Sequence, residues 1–215
     1  MRDLNGPKLW HDEARISSKM SDIDQGQLLP IRQINENGVF RRPRLLVVQP
    51  LVGIGDMVWH KPWIDYLAGE YDVILATKPT VHAQHLFACT PHIIDILSIE
   101  RSLRGKRGRH DGVSGILRLA AEMRSARADK ALILHHSARY GFASWLAGIK
   151  QRWGYGIGAG SAWWLNAGRF LDTSARTQHP TTKIAHFATL NGFSPPQTRW
   201  KINATSVARE AATNF

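Results

Sequence analysis

The chain has 215 residues, with 28 Lys plus Arg against 17 Asp plus Glu and a formal net charge of +11. At 43% hydrophobic and 21% charged it reads as a globular chain of about one domain, which excludes collagen-like, disulfide-rich and low-complexity classes. No apolar run is long enough to span a bilayer, the N-terminus lacks the apolar stretch of a secretory signal, and the lone Cys89 allows no internal disulfide, so a cytoplasmic chain is expected.

Residues 1–42 are polar and aperiodic and are expected to form a partly disordered extension. The pattern changes at Leu45-Leu46-Val47-Val48, a short apolar run that suits a strand buried on both faces of a parallel sheet. Pro50 to Gly55 is a loop. Asp56, a favoured N-cap residue, opens a helix with Val58, Ile64 and Leu67 apolar and Gly69 as its stop. Asp72 to Thr77 is a second strand, residues 79–88 a helix with Pro79 in its first turn, and Ile93 to Ile99 a third strand. Arg101 to His110 is a basic loop. A helix over 113–125, a strand from Lys130 to Leu134, a helix from Arg139 to Ala147 stopped by Gly148, and a short strand from Arg152 to Tyr155 follow. One more helix falls at 181–190. Strands alternating with helices predict an α/β fold, a Rossmann-like parallel sheet with flanking helices, over residues 43–193. Residues 194–215 read as a linker, Ser194-Pro195-Pro196, and the truncated start of a further domain.

Charge is concentrated. Residues 101–150 carry eleven basic and three acidic side chains, a field that attracts nucleic acid, anionic lipid or a phosphorylated substrate without choosing among them. The loop 101–109 holds five basic residues but no interleaved aromatic, which argues against single-stranded nucleic acid. Trp163-Trp164 with Phe170 is read as core packing in preference to an interfacial patch.

The loop Leu51-Val52-Gly53-Ile54-Gly55-Asp56 follows the first strand, at the carboxyl-end crevice where open α/β sheets bind ligands. It is a poor dinucleotide fingerprint, because Val58 stands where a third glycine belongs and Asp56 would repel a pyrophosphate. Gly53 and Gly55 admit close approach of a ligand to the backbone. A carboxylate at Asp56 can take a proton from a substrate hydroxyl or simply cap the helix; both remain open. His60 can lie beside Asp56 one turn on, and Lys61 can hold a phosphate or carboxylate, or both can be solvated. His135-His136-Ser137 with Arg139 follows the fourth strand and reads as an anion-facing loop, since no Cys or carboxylate completes a metal site.

Taken together these segments resemble glycosyltransferase family 9, the heptosyltransferases of lipopolysaccharide core synthesis. The resemblance runs over about residues 44–200: RLLVVQPLVGIGDMVWHKPWIDYL, with Pro62 six residues after the aspartate; DVILATKPTVHAQHLFACTPHIIDIL, with Thr90-Pro91; DKALILHHSARYGFASWLAGIKQRWGYG; and His179 with its following helix. It departs from the family's pattern at Pro50-Leu51-Val52 and at His60-Lys61. The resemblance implies the N-terminal half of a GT-B glycosyltransferase, the acceptor-binding domain of an inverting enzyme with no metal and no bound cofactor. Asp56 would be the general base. Gly53, Gly55, Lys61, His135, Ser137, Arg139 and Arg169 would meet the substrate. The partners implied are an anionic glycolipid acceptor of the lipid A–Kdo type and an ADP-sugar donor held by a C-terminal domain, with peripheral contact at the inner face of the inner membrane and no specific nucleic acid. On this reading the 215-residue chain alone is expected to be inactive. A stand-alone binding module for anionic glycan or nucleic acid is the alternative.

Overall fold

The computed structural model describes residues 33–34, 40–102 and 107–193. The expectations for most of residues 1–42, for part of the basic loop and for 194–215 lie outside the described residues. A two-residue antiparallel pair, β1 (Gln33–Ile34) and β2 (Phe40–Arg41), stands within the stretch expected to be an extension.

The sheet has five strands. β3 (Arg44–Gln49), β4 (Asp72–Thr77), β5 (Ile93–Ser98), β6 (Lys130–Ile133) and β7 (Gln151–Gly154) run in the order β5-β4-β3-β6-β7, every neighbouring pair parallel. The central strand, β3, explains its own sequence. Leu45 and Val47 point to one face, Leu46 and Val48 to the other, and all four are wholly buried. Each contributes about 1.5–3 kcal/mol by leaving water.

On the first face α1 (Ile54–Glu70) and α6 (Pro180–Leu190) cover Leu45, Val47, Val73 and Leu132 with Met57, Ile64, Leu67, Ile184 and Phe187. On the second, α3 (Gly112–Ser125) and α4 (Ala138–Leu146) cover Leu46, Val48, Ile74 and Ile133 with Leu119, Met123, Tyr140 and Ala143. The chain builds outward from β3 to β5, then returns to place β6 on the other side of β3. Right-handed crossovers in the two directions put their helices on opposite faces. The reversal leaves a gap between the carboxyl ends of β3 and β6, the switch point at which such sheets take ligands.

Three local expectations are corrected. The helix expected over 79–88 is split into a 3-10 turn, Pro79–Val81, and a short helix α2 (Ala83–Leu86). His82 between them sits at φ 49, in the left-handed region, which a right-handed helix cannot pass through. Helix α1 starts two residues before Asp56, with Gly53 as its N-cap, so Asp56 is the third helical residue. And α1 buries Met57, His60, Lys61, Ile64 and Ala68, a stripe at helical spacing that includes two polar residues, while Val58 is only half-buried. Gly148, by contrast, ends α4 as expected, at φ 82. A further short helical turn, α5 (Ala159–Ala162), follows β7.

Candidate functional site

The switch-point gap is a cavity of about 230 Å³. Its floor and walls come from four places. The loop after β3 and the first turns of α1 give Leu51, Asp56 and His60. The segment after β6 gives Leu134, His135 and His136, Tyr155 follows β7, and Arg176, Pro180 and Lys183 come from the turn before α6 and its first turn.

Asp56 is held by its own helix. Its Oδ2 accepts the N–H of Gly53 at 3.3 Å, a side chain reaching back to the N-cap backbone. A Cβ at position 53 would stand 2.9 Å from that oxygen, so a larger residue there would shift the Asp56 carboxylate, the backbone φ of −88 being ordinary. Gly55 meets no such restriction, with nothing within 4 Å of its would-be Cβ. The Oδ1 of Asp56 has no hydrogen-bond partner among the described residues, and Asp56 lines the cavity.

Below Asp56 lies a buried chain of hydrogen bonds with a definite direction. His60 Nδ1 is 2.6 Å from the backbone carbonyl of Asp56, which can only accept, so the ring proton sits on Nδ1. Nε2 is then an acceptor and takes the hydroxyl of Tyr155 at 3.4 Å. Burial lowers the His60 pKa, outweighing the Asp56 carbonyl and charge that raise it, and burial raises that of Tyr155. Both side chains are therefore neutral. His135 is also neutral: burial first, then His136, Lys183 and Arg101, bring its pKa from 6.5 to about 4. Its Nδ1 accepts the N–H of Ser137 at 3.0 Å, which puts its proton on Nε2. The His136 ring stacks on it at 4.4 Å, and burial, Arg176 and Lys183 lower the His136 pKa too.

The charged lining groups are thus one carboxylate, Asp56, and two cations, Arg176 and Lys183. Neither cation forms an ion pair with a described residue; Lys183 Nζ donates to the Arg176 carbonyl at 3.2 Å, and desolvation lowers its pKa. The arrangement offers a proton acceptor in one cavity with two positive groups that pair with no carboxylate among the described residues, which suits a hydroxyl-bearing anion.

The expected site residues separate into two groups. Asp56 and His135 line the cavity; Gly53 and Gly55 stand in the first turn of α1 beside Asp56, and Ser137 is the N-cap of α4, accepting the Arg139 N–H at 3.4 Å. Lys61 is turned away: it is buried against Asp65 at 2.8 Å and Thr90 at 3.1 Å, with Phe87 under its ammonium. Arg139 donates to the backbone carbonyls of His110 and Gly112, tying α4 to the loop after β5. Arg169 is exposed near the end of α6, its N–H bonded to Asn191. The structure does not bring these three to the cavity. Tyr155, Arg176 and Lys183 were missed. Of these, only Lys183 had an available signal, one turn into a helix whose N-terminus follows His179. In the basic loop, Arg101 pairs with Asp111 at 3.2 Å and Arg109 with Glu122 at 2.6 Å, so part of its charge is neutralised locally. No cluster of three or more His, Cys, Asp or Glu able to hold a metal occurs among the described residues, and no helix among them is long and apolar enough to cross a membrane.

Lys61→Met tests the separation of Lys61 from the site. Removing the buried ammonium strands a partly exposed Asp65, and stability is expected to fall by about 1–2 kcal/mol in urea titrations. Ligand affinity at the cavity should not change; a loss of affinity without loss of stability would return Lys61 to the binding site.

The five-stranded parallel sheet, its flanking helices and its switch-point cavity define a Rossmann-like α/β domain of the kind found in GT-B glycosyltransferases. The chain matches the structure of a glycosyl transferase of family 9 from Veillonella parvula at a TM-score of 0.60 and 17% identity, over 82% of this chain and 50% of that one. It matches the E. coli ADP-heptose LPS heptosyltransferase II at 0.56 and 18%, over 80% and 50%, and E. coli heptosyltransferase WaaC with ADP at 0.51 and 15%, over 74% and 51%. The chain thus spans about half the length of each. At these identities the likeness is one of fold. Neither protein-family models nor curated proteins give a match to the sequence.

Proposed function

We propose that this domain is the acceptor-binding half of a heptosyltransferase-type glycosyltransferase, acting with an ADP-sugar donor on an anionic lipopolysaccharide-core acceptor. In the proposed reaction an acceptor hydroxyl oxygen attacks the anomeric carbon of the sugar. The bond from that carbon to ADP breaks, ADP leaves with the electron pair, the configuration inverts, and the hydroxyl proton passes to Asp56. Arg176 and Lys183 hold the acceptor's phosphate or carboxylate beside the base. The donor is proposed to be held by a facing domain outside the described residues.

The observation that carries this reading is Asp56 itself. It is the one carboxylate among the described lining residues, presented by a helix start at a switch-point crevice also lined by two cations that pair with no described carboxylate. The fold shared with the heptosyltransferase structures supports it.

Acceptor binding can be tested on the chain as it stands. Titration with a Kdo-containing glycolipid in neutral detergent is expected to saturate and to weaken with salt. Arg176→Ala and Lys183→Ala should each weaken it about tenfold, the scale of a lost charged hydrogen bond. Full affinity in both variants would sink the assignment of the two cations. Failure of any anionic glycolipid to bind would sink the acceptor reading itself.

A further inference from the structure

The His135-His136 pair lines the cavity yet has no part in the proposed transfer. The two rings follow β6 and stack with centroids 4.4 Å apart, 20° from parallel. They are not equivalent. His135 is held in place: its Nδ1 accepts the Ser137 N–H at 3.0 Å, and Tyr140 packs edge-on against its ring at 5.5 Å. His136 is exposed, and neither of its ring nitrogens has a hydrogen-bond partner among the described residues. A proton from solvent can be added there without breaking a bond.

What opposes that proton is burial first, then the positive charge of Arg176 and Lys183, which together hold the His136 pKa below its ordinary 6.5. The other titratable groups around the cavity are otherwise engaged. On α1, Asp56 accepts the Gly53 N–H, and His60 is buried against the Tyr155 hydroxyl that follows β7. Arg101, after β5, acts on His135 and pairs with Asp111. His179, the N-cap of α6, is bonded to Thr181 and packs on Trp59.

An anion seated on Arg176 and Lys183 removes the electrostatic part of that opposition. With Asp56 ionised, the charged lining groups sum to one positive charge, two cations less one carboxylate. That balances a monoanion and leaves a dianion one charge short. We propose that the cavity is built for a dianionic phosphate monoester and takes up one proton, on His136, as that group binds. The inference rests on the reading that Arg176 and Lys183 hold the acceptor's anion, and it narrows that anion from phosphate or carboxylate to phosphate. His135 stays neutral, so the stack carries one charge and not two. The complex then holds one more proton than the free protein. Affinity therefore rises as pH falls through the bound-state pKa of His136 and levels off below the free-state one.

Sulfate is the probe, because it stays a dianion between about pH 5.5 and 8, where a phosphate ester changes its own charge; methanesulfonate is its monoanionic counterpart. Each is titrated into the chain at constant ionic strength while the histidine ring signals are followed by NMR, with His136→Gln identifying the signal of His136. Sulfate is expected to bind about tenfold more tightly at the acid end of the range than at the alkaline end, and methanesulfonate about twofold. Saturating sulfate should raise the His136 pKa. His136→Gln should abolish the pH dependence, whereas His186→Gln, at an exposed position of α6 outside the cavity, should keep it. Sulfate affinity that is flat with pH, or a slope that survives in His136→Gln, overturns the proton uptake and leaves the anion reading of Arg176 and Lys183 standing. An equal slope for methanesulfonate overturns the choice of a dianion. No binding of sulfate at any pH, or binding that Arg176→Ala leaves intact, overturns both.

Discussion

Asp56→Asn is expected to lower the turnover of the proposed sugar transfer by about 10²- to 10⁴-fold, the range for loss of a positioned general base. The substitution is chosen for what it preserves. The amide oxygen of Asn can accept the Gly53 N–H as the Asp56 carboxylate does at 3.3 Å, so the first turn of α1 stays capped. Asp56→Ala would remove the cap as well and cost about 1 kcal/mol of stability, mixing two effects. The measurement is steady-state ADP release by the native gene product, with saturating ADP-sugar and acceptor, alongside the thermal midpoint of both proteins. A large fall in kcat at an unchanged midpoint is the expected outcome. Unchanged turnover would remove Asp56 from the base role and leave it a helix cap.

Acid should destabilise the fold in a defined window, and the histidines of the crevice set it. His135 has a pKa of about 4 in the folded protein against 6.5 when exposed, chiefly through burial. Between those values the unfolded chain binds the proton and the folded one does not, so stability falls as pH falls from about 6.5 and levels off below about 4. A shift of that size corresponds to at most about 3 kcal/mol, reduced to the extent that water reaches the cavity wall. His60, with its pKa lowered by burial, adds to the loss with the same sign. The carboxylates with lowered pKa, Asp111 and Asp172, act below their ordinary 3.8 and so outside this window. Urea midpoints measured across it should slope upward with pH, and His135→Gln should flatten the slope. A flat profile in the parent would mean that His135 charges without penalty.

The sheet was legible because its strands are short apolar runs separated by Gly, Pro and polar turns; β3, β4 and β6 fall within a residue or two of their expected bounds. The position of Asp56 at the carboxyl edge of the sheet was legible because a glycine loop that follows a parallel strand and opens a helix leads there. The rest of the site was not. Arg176 and Lys183 reach the cavity through the packing of α6 on α1, a contact between segments far apart in the chain that no local pattern reports. Lys61, placed at the substrate by the resemblance, lies away from the cavity for a different reason. It stands at a core-facing position of α1, between Met57 and Ile64, and periodicity alone would have turned it inward, away from any ligand. Arg139 and Arg169, placed at the substrate by the resemblance, are not among the lining residues: one donates to backbone carbonyls and the other is exposed beside Asn191.

The hydrogen-bonded chain beneath Asp56 is a dead end. It passes from the Tyr155 hydroxyl through His60 to a backbone carbonyl, never to the carboxyl group, so nothing in it can carry away what that carboxyl receives. In the proposed transfer, a proton taken by Asp56 would leave through the open mouth of the cavity, into the same water that the departing product would enter. Resetting the base and clearing the site would then share one doorway, and a bound product that blocked it would hold the proposed enzyme in its protonated, spent form.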